Sequence, residues 1–188
     1  MSSNFTVKVF FRGDWCPWCS GYLKDFDKAL PKIQELGGKV IGITSQAENQ
    51  SKENLGLNFD VQIDGENIEA QKYGIVITSK SETPLKDVEG IYPNGMVQPG
   101  VVIEDSKGNV LYLWVIIPGE MNMGGASDRP LVADIVASLE QILKGQENDN
   151  SFNTTDMNYL EQNHPEEYQK VQAYIASLSK QEASVSGR

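Results

Sequence analysis

The sequence predicts an α/β fold in which a central mixed β-sheet is flanked by helices and followed by a C-terminal helical extension. Short apolar, β-branched runs alternate along the chain with helical patterns, and two cysteines stand where the first strand passes into the first helix. A polar stretch separates the last two helical patterns from the rest. We expect residues 1–145 to form the main domain and residues 146–188 to form a polar linker and the helical extension.

The first strand and the first helix meet at the two cysteines. Residues 7–11 are apolar enough for a buried strand. Residues 17–36 carry apolar side chains at the spacing of one buried helix face. Pro31 interrupts this pattern and predicts a kink or a split, and the pair Gly37-Gly38 should end the helix.

The middle of the chain predicts two strands and two short helices. Residues 39–44 indicate a short buried strand, and residues 45–48 have the spacing of a capping box for a polar helix that extends to about Leu55. Residues 59–63 alternate as a strand does, and residues 66–73 predict a short helix.

A long loop, a hairpin and a helix should complete the main domain. Residues 75–98 are polar and contain proline and glycine, which is typical of a loop that contributes to specificity. Residues 101–103 and 110–117 predict a β-hairpin, and Asp128 is the expected N-cap of a helix that extends to Leu143.

The C-terminal segment predicts two more helices after the polar linker. They span residues 156–163 and 165–178, and we expect residues 179–188 to be frayed. His164 lies between the two helices and is interpreted as a helix cap on the surface.

The two cysteines form a Cys-x-x-Cys motif, which predicts a redox dithiol. Cys16 precedes a helix N-terminus, where free backbone N–H groups and the helix dipole favour a thiolate, so it should be the more nucleophilic thiol. Pro17 suits the first helical position, and Cys19 lies one turn on, within reach of a disulfide. Trp15 and Trp18 flank the sulfurs and either exclude water from them or serve as ordinary packing residues.

A structural disulfide and a metal site are the less favoured interpretations of this motif. A disulfide between residues so close in sequence restrains little unfolded-chain entropy. Zinc needs about four ligands, and His164 is the only other strong candidate in the sequence. We therefore predict no metal and no cofactor.

Charge and hydropathy exclude several classes of partner. The formal net charge of -10 at pH 7 argues against nucleic acid and anionic membranes. No apolar run approaches the ~20 residues of a membrane-spanning helix. The first residues do not match a signal peptide, so we expect a cytoplasmic location or another reducing compartment, with a processed organellar precursor as the alternative.

Several motifs resemble those of the peroxiredoxin-like branch of the AhpC/TSA family. Residues 10–19 resemble its RGxWCPxC signature, and residues 30–37 and 40–45 resemble the segments that follow it. Asp64-Gly65 and residues 70–75 are similar to its DxxxxxAxxYGV stretch. The resemblance extends over about residues 5–143 and implies a thioredoxin-like fold.

The resemblance also implies a catalytic cycle. Cys16 would attack a peroxide or a substrate disulfide, and Cys19 would resolve the sulfenic acid or mixed disulfide that forms. An external thiol reductant of the thioredoxin or glutathione type would restore the dithiol. By analogy with peroxiredoxins, the chain would form a homodimer.

Three residues outside the motif are expected near the dithiol. The resemblance implies a cis peptide bond at Pro99, which would expose the backbone of Gln98 for pairing with a substrate strand. The alternative is a trans proline that opens a strand. Arg129 would lie near the sulfurs and favour a thiolate, or else form a salt bridge at a helix start.

Two charged residues precede the motif, and each has two interpretations. Arg12 precedes Cys16 by four residues and would also favour a thiolate, unless the alternation of the strand points it elsewhere. Asp14 is interpreted as a solvated loop carboxylate, in preference to a base for Cys19.

The sequence departs from the family at two positions. Typical peroxiredoxins place a threonine three residues before the peroxidatic cysteine and a proline seven residues before it, where this chain has Gly13 and Val9. Because that threonine hydroxyl helps to orient peroxide, disulfide exchange stays open as an alternative. So does a redox-sensing or partner-binding role without efficient turnover.

Overall fold

A computed structural model describes residues 4–79, 91–117, 129–147 and 155–186, with side chains as far as residue 177. Its strands, in chain order, are β1 (Phe5–Phe10), β2 (Gly38–Thr44), β3 (Asp60–Ile63), β4 (Ile77–Thr78), β5 (Met96–Val97), β6 (Gly100–Asp105) and β7 (Val110–Val115). Its helices are α1 (Pro17–Glu35), α2 (Ser51–Leu55), α3 (Ile68–Lys72), α4 (Val132–Leu143), α5 (Met157–Asn163) and α6 (Pro165–Ser186).

Five strands form a mixed sheet in the order β3-β2-β1-β6-β7, and β4 pairs separately with β5. β1 is the central strand, parallel to β2 and antiparallel to β6. Its residues Phe5, Val7 and Val9 share one face and are at most 1% exposed, as expected for the core-facing side of a central strand. The predicted α/β fold with a mixed sheet flanked by helices is confirmed.

The first helix is not split at Pro31, contrary to one of the sequence-based expectations. α1 continues through this residue to Glu35. Pro31 is exposed, so the carbonyl that loses its helical hydrogen bond lies on the solvent side, where water can satisfy it.

The capping box expected at residues 45–48 does not form, and α2 begins at Ser51. Ser45 is buried, and its hydroxyl accepts a hydrogen bond from the backbone N–H of Val97 at 2.8 Å. The Ser45 hydroxyl, which a capping box would need, therefore bonds to β5 instead, and no local pattern in the sequence indicates this contact.

The C-terminal helices pack against α1. His164 is 4% exposed, and its Nε2 lies 2.9 Å from Oδ1 of Asp25 on α1. Lys24 forms an ion pair of 2.7 Å with the buried Glu167. The interpretation of His164 as a surface residue is wrong, because the position that ends α5 also faces α1.

Two other expectations concern segments that are not described in full. α6 extends to Ser186, beyond the predicted end at residue 178. Asp128 and residues 80–90 of the predicted 75–98 loop lie outside the described residues, and the described parts of that segment contain the short strands β4 and β5. Among the helices in the described part of the chain, none is long and apolar enough to cross a membrane.

Candidate active site

The loop after β1 places Cys16 at the N-terminus of α1, and Cys19 lies in the first turn of that helix. Cys16 is the N-cap residue, and its Sγ accepts a hydrogen bond from the backbone N–H of Cys19 at 3.3 Å. Pro17 is the first helical residue. Both cysteines are free thiols and only 1% exposed. The site is thus a buried dithiol at a helix N-terminus.

Two buried arginines reach the dithiol from different elements. Arg12 follows β1, is 0% exposed, and donates from Nε to Oε1 of Gln98 at 3.0 Å. Arg129 precedes α4, is 1% exposed, and donates from Nη2 to Sγ of Cys19 at 3.5 Å. Its guanidinium also lies over the ring of Tyr22, 5.6 Å from the centroid. Buried guanidinium groups favour negative charge on the neighbouring sulfurs.

The surroundings drive the two thiol pKa values apart. Burial opposes ionisation of Cys16, but the hydrogen bond from the Cys19 thiol and the charges of Arg12 and Arg129 lower the pKa of Cys16 to about 5. Burial, together with the adjacent Cys16, raises the pKa of Cys19 well above its ordinary value. Cys16 is therefore a thiolate and Cys19 a thiol at neutral pH.

The two tryptophans of the motif are both half-buried and pack against the main core. The indole Nε1 of Trp15 donates to the hydroxyl of Tyr92 at 2.6 Å. Trp18 lines a small pocket together with Arg129 and, from the C-terminal helices, Leu160 and His164. Both tryptophans pack against the core cluster that includes Cys16 and Cys19, as the packing interpretation expects, and the exclusion of water from the sulfurs stays a prediction.

At the Gln98-Pro99 pair the cis peptide bond that the resemblance implies is not found, and the structure agrees with the alternative of a trans proline that opens a strand. No cis peptide bond occurs in the described parts of the chain, so Pro99 is trans and leads directly into β6. Gln98 is 0% exposed, and its backbone N–H donates to the Val76 carbonyl at 2.8 Å. The backbone of Gln98 is paired within the chain, and its side chain orients Arg12.

Three residues near the site were missed by the sequence analysis. Thr44, Gln46 and Tyr92 surround the loop between Arg12 and Cys16. Gln46 donates from Nε2 to the carboxylate of Asp14 at 2.8 Å, so Asp14 is held in place and is not a merely solvated group. Gln46 and Tyr92 belong to no motif, and Thr44 lies in the family-like segment 40–45 but has no local sign of its contact with the loop, so only their position in the fold reveals them.

The described residues offer no obvious metal centre. Among them, no three His, Cys, Asp or Glu side chains converge in a way that could hold a metal ion. The dithiol lies instead between two guanidinium groups, a setting that favours thiolate chemistry.

Comparisons with known proteins agree with this geometry. The AhpC/TSA family matches residues 2–113. The fold is similar to that of peroxidoxin BcpB from Mycobacterium tuberculosis, with a TM-score of 0.55 and 15% identity over 78% of this chain and 82% of that chain. It is also similar to peroxiredoxin Q from Xanthomonas campestris, with a TM-score of 0.53 and 17% identity over 74% and 79% of the two chains.

A third solved structure is the reduced 2-Cys peroxiredoxin from Plasmodium vivax, with a TM-score of 0.52 and 16% identity over 76% of this chain and 78% of that chain. No curated protein sequence matches the chain significantly. The structural likenesses support the thioredoxin-like fold, and the family match covers the cysteine motif. The chain belongs to the AhpC/TSA family and is a thiol-based oxidoreductase of the peroxiredoxin type.

Proposed function

We propose that this chain reduces hydroperoxides in a cycle in which Cys16 is the peroxidatic cysteine and Cys19 the resolving one. The observation that carries the proposal is that the site lowers the pKa of one thiol and raises the pKa of the other. Arg12 and Arg129 favour a thiolate at Cys16, whereas Cys19 keeps its proton. A peroxidase needs one sulfur as nucleophile and a second to remove the oxidised product.

In the first step the Cys16 thiolate attacks the terminal oxygen of the hydroperoxide. The O–O bond breaks, an alcohol or water leaves after taking up a proton, and Cys16 becomes a sulfenic acid. The sulfur loses two electrons, which reduce the peroxide. The guanidinium of Arg12 or Arg129 stabilises the negative charge that moves to the leaving oxygen.

In the second step the sulfur of Cys19 attacks the sulfur of the sulfenic acid. Water leaves with the proton of Cys19, and the disulfide Cys16–Cys19 forms. An external dithiol of the thioredoxin type, or two molecules of a glutathione-type thiol, supplies the two electrons that restore the reduced site. Such a donor is available in a reducing compartment, which supports a cytoplasmic location.

Burial favours a peroxide over a protein disulfide as the oxidising substrate. Each sulfur belongs to a residue that is only 1% exposed, so a small peroxide reaches it more easily than a disulfide on a protein surface. The backbone of Gln98 is already hydrogen-bonded to Val76, which removes the expected edge for a substrate strand.

A homodimer is part of the proposal. β7 is an edge strand of the sheet, and its side chains Val110 and Leu113 are 48% and 51% exposed. An exposed apolar edge strand is a surface on which a second copy can pair.

Stopped-flow tryptophan fluorescence of the reduced protein mixed with hydrogen peroxide tests the proposal, because Trp15 and Trp18 flank the sulfurs. We expect a rate at least about a hundredfold above that of a free thiol, lost in Cys16→Ser. In Cys19→Ser the first oxidation should persist, but no disulfide should form.

A rate no greater than that of a free thiol would refute the proposal that this chain is a peroxidase. Fast oxidation of the wild type without cycling in the presence of either reductant would instead identify the redox sensor.

A further inference from the structure

A tyrosine hydroxyl from a distant segment occupies the space beside Gly13. A Cβ atom on Gly13 would come closest to Oε1 of Gln46 and would lie 2.6 Å from the hydroxyl of Tyr92 and 2.8 Å from Nε1 of Trp15, closer than real Cβ atoms approach such groups. Tyr92 is 1% exposed, so its hydroxyl is fixed inside the protein. The glycine therefore leaves room for the tyrosine at the start of the redox loop.

The Tyr92 hydroxyl acts as donor and as acceptor toward the loop between Arg12 and Cys16. It donates to the carbonyl of Arg12 at 2.7 Å and accepts from the indole of Trp15 at 2.6 Å. Burial raises the pKa of Tyr92, so the hydroxyl keeps the proton that it donates. The Tyr92 side chain thus connects Arg12, which carries the positive charge, with Trp15, which precedes Cys16.

The Arg12 carbonyl accepts from a second buried hydroxyl as well. Thr44 is 0% exposed and donates from Oγ1 to this carbonyl at 3.2 Å. At the other end of Arg12, the side chain of Gln98 accepts from Nε. Arg12 is consequently held through both its backbone and its guanidinium.

We propose that Tyr92 is a positioning residue for the dithiol, whose hydroxyl holds Arg12 and Trp15 in the arrangement that the reaction of Cys16 requires. It acts through these two residues and does not contact the substrate. The proposal rests on the proposed function only in that it concerns the same dithiol, since the arrangement is measurable in the resting reduced protein.

The physical reason lies in the distance dependence of charge interactions in a buried site. Coulomb energy changes steeply with separation where the local dielectric is low, so a small displacement of Arg12 weakens its effect on Cys16. The other groups that act on this sulfur are Arg129 from the segment before α4 and Cys19 from α1. The two hydrogen bonds of the Tyr92 hydroxyl go to Arg12 and Trp15 and not to either of these groups.

The test is Tyr92→Phe, which removes only the hydroxyl. The thiolate absorbance of the reduced protein is followed as a function of pH, and the step below neutral pH reports Cys16 alone because the pKa of Cys19 is raised. We expect the apparent pKa of Cys16 to rise by about one unit. At a pH near the wild-type pKa of Cys16, the peroxide reaction should slow about fivefold and recover at higher pH.

Tyr73→Phe is the matched control. The Tyr73 hydroxyl is also in a buried residue and donates to Glu104 at 2.6 Å, but it belongs to a separate hydrophobic cluster. Both variants should lose stability, whereas only Tyr92→Phe should shift the titration. An unchanged Cys16 titration in folded Tyr92→Phe would overturn the proposal and leave Tyr92 a structural residue.

Two further outcomes keep the test decisive. If Tyr92→Phe does not fold, Thr44→Val removes the other hydroxyl from the Arg12 carbonyl and should raise the same pKa by a smaller amount. No shift in that variant would also overturn the proposal. If the wild type proves not to reduce peroxide, the titration still decides whether Tyr92 positions the site.

Discussion

At the scale of single residues, the charge state of the dithiol depends on two arginines from distant parts of the chain. Arg12 follows the central strand, and Arg129 precedes α4. Their positive charges and the thiol of Cys19 outweigh the burial of Cys16, which by itself disfavours a thiolate. This balance favours the thiolate form of Cys16 although the residue is buried.

Removal of the Arg129 charge should weaken this effect. We expect Arg129→Met to raise the pKa of Cys16 by about one to three units, because an opposite charge is lost from a buried site. The peroxide reaction should slow accordingly at mildly acidic pH. Titration of the thiolate absorbance measures the shift.

Arg129→Lys is the matched variant for this prediction. It keeps the charge but loses the planar guanidinium. The pKa of Cys16 in this variant should therefore lie between its values in the wild type and in Arg129→Met. Equal values in all three proteins would show that Arg12 and the helix N-terminus hold the thiolate without Arg129.

At the scale of elements, the C-terminal helices are fixed to the helix that carries the cysteines. Asp25 on α1 accepts a hydrogen bond of 2.9 Å from the hydroxyl of Tyr159 and lies 2.9 Å from Nε2 of His164. The ring of His164 also fits against Gly21, where a Cβ would meet it at 3.2 Å. This contact lies next to the pocket that Trp18 and Arg129 line.

Loss of the histidine should therefore loosen the extension. We expect His164→Ala to reduce the free energy of unfolding by about 2 kcal/mol, because it leaves the buried Asp25 with fewer partners and opens a cavity. Chemical denaturation measures this loss. Gln169→Ala on the exposed face of α6 is the control and should change stability by less than about 0.5 kcal/mol.

An effect of His164→Ala no larger than that of the control would mean that the helices contribute little to the stability of α1. The proposed boundary at residues 145–146 stays a prediction, and this measurement also bears on it. A single cooperative transition that shifts as a whole would indicate that the extension unfolds together with the sheet.

At the scale of the whole molecule, the buried thiolate couples redox state, pH and stability. Folding lowers the pKa of Cys16 to about 5 from the ordinary thiol value of about 8.5 in the unfolded chain. A lowered pKa stabilises the folded state above the unfolded value, and this contribution is lost as the pH falls toward the folded value.

The reduced wild type should therefore gain stability relative to Cys16→Ser as the pH rises from about 5 to neutral. Parallel denaturation curves of the two proteins over this range measure the difference. The oxidised protein has no thiolate and should not show this gain. A constant difference between wild type and Cys16→Ser would contradict the assignment of the charged sulfur.

Local patterns predicted the order of the strands and helices, except for β4 and β5 in the segment expected to be a loop, because each predicted element depends on neighbours a few residues away. The run from Val7 to Phe11, the helical spacing after Pro17 and the Cys-x-x-Cys motif are all of this kind. The predictions for single side chains were wrong where a side chain contacts a segment distant in sequence. Ser45 bonds to β5 in place of a capping box, and His164 faces Asp25.

The sequence by itself determined a dithiol at a helix N-terminus and an α/β fold, and it predicted that Cys16 is the more nucleophilic thiol, since all three follow from local spacing and helix electrostatics. Only the tertiary structure decided that Arg12 and Arg129 both reach the sulfurs and that Tyr92 fills the space at Gly13. Such contacts depend on which segments the sheet brings together, and side chains far apart in sequence carry no local signal of their pairing.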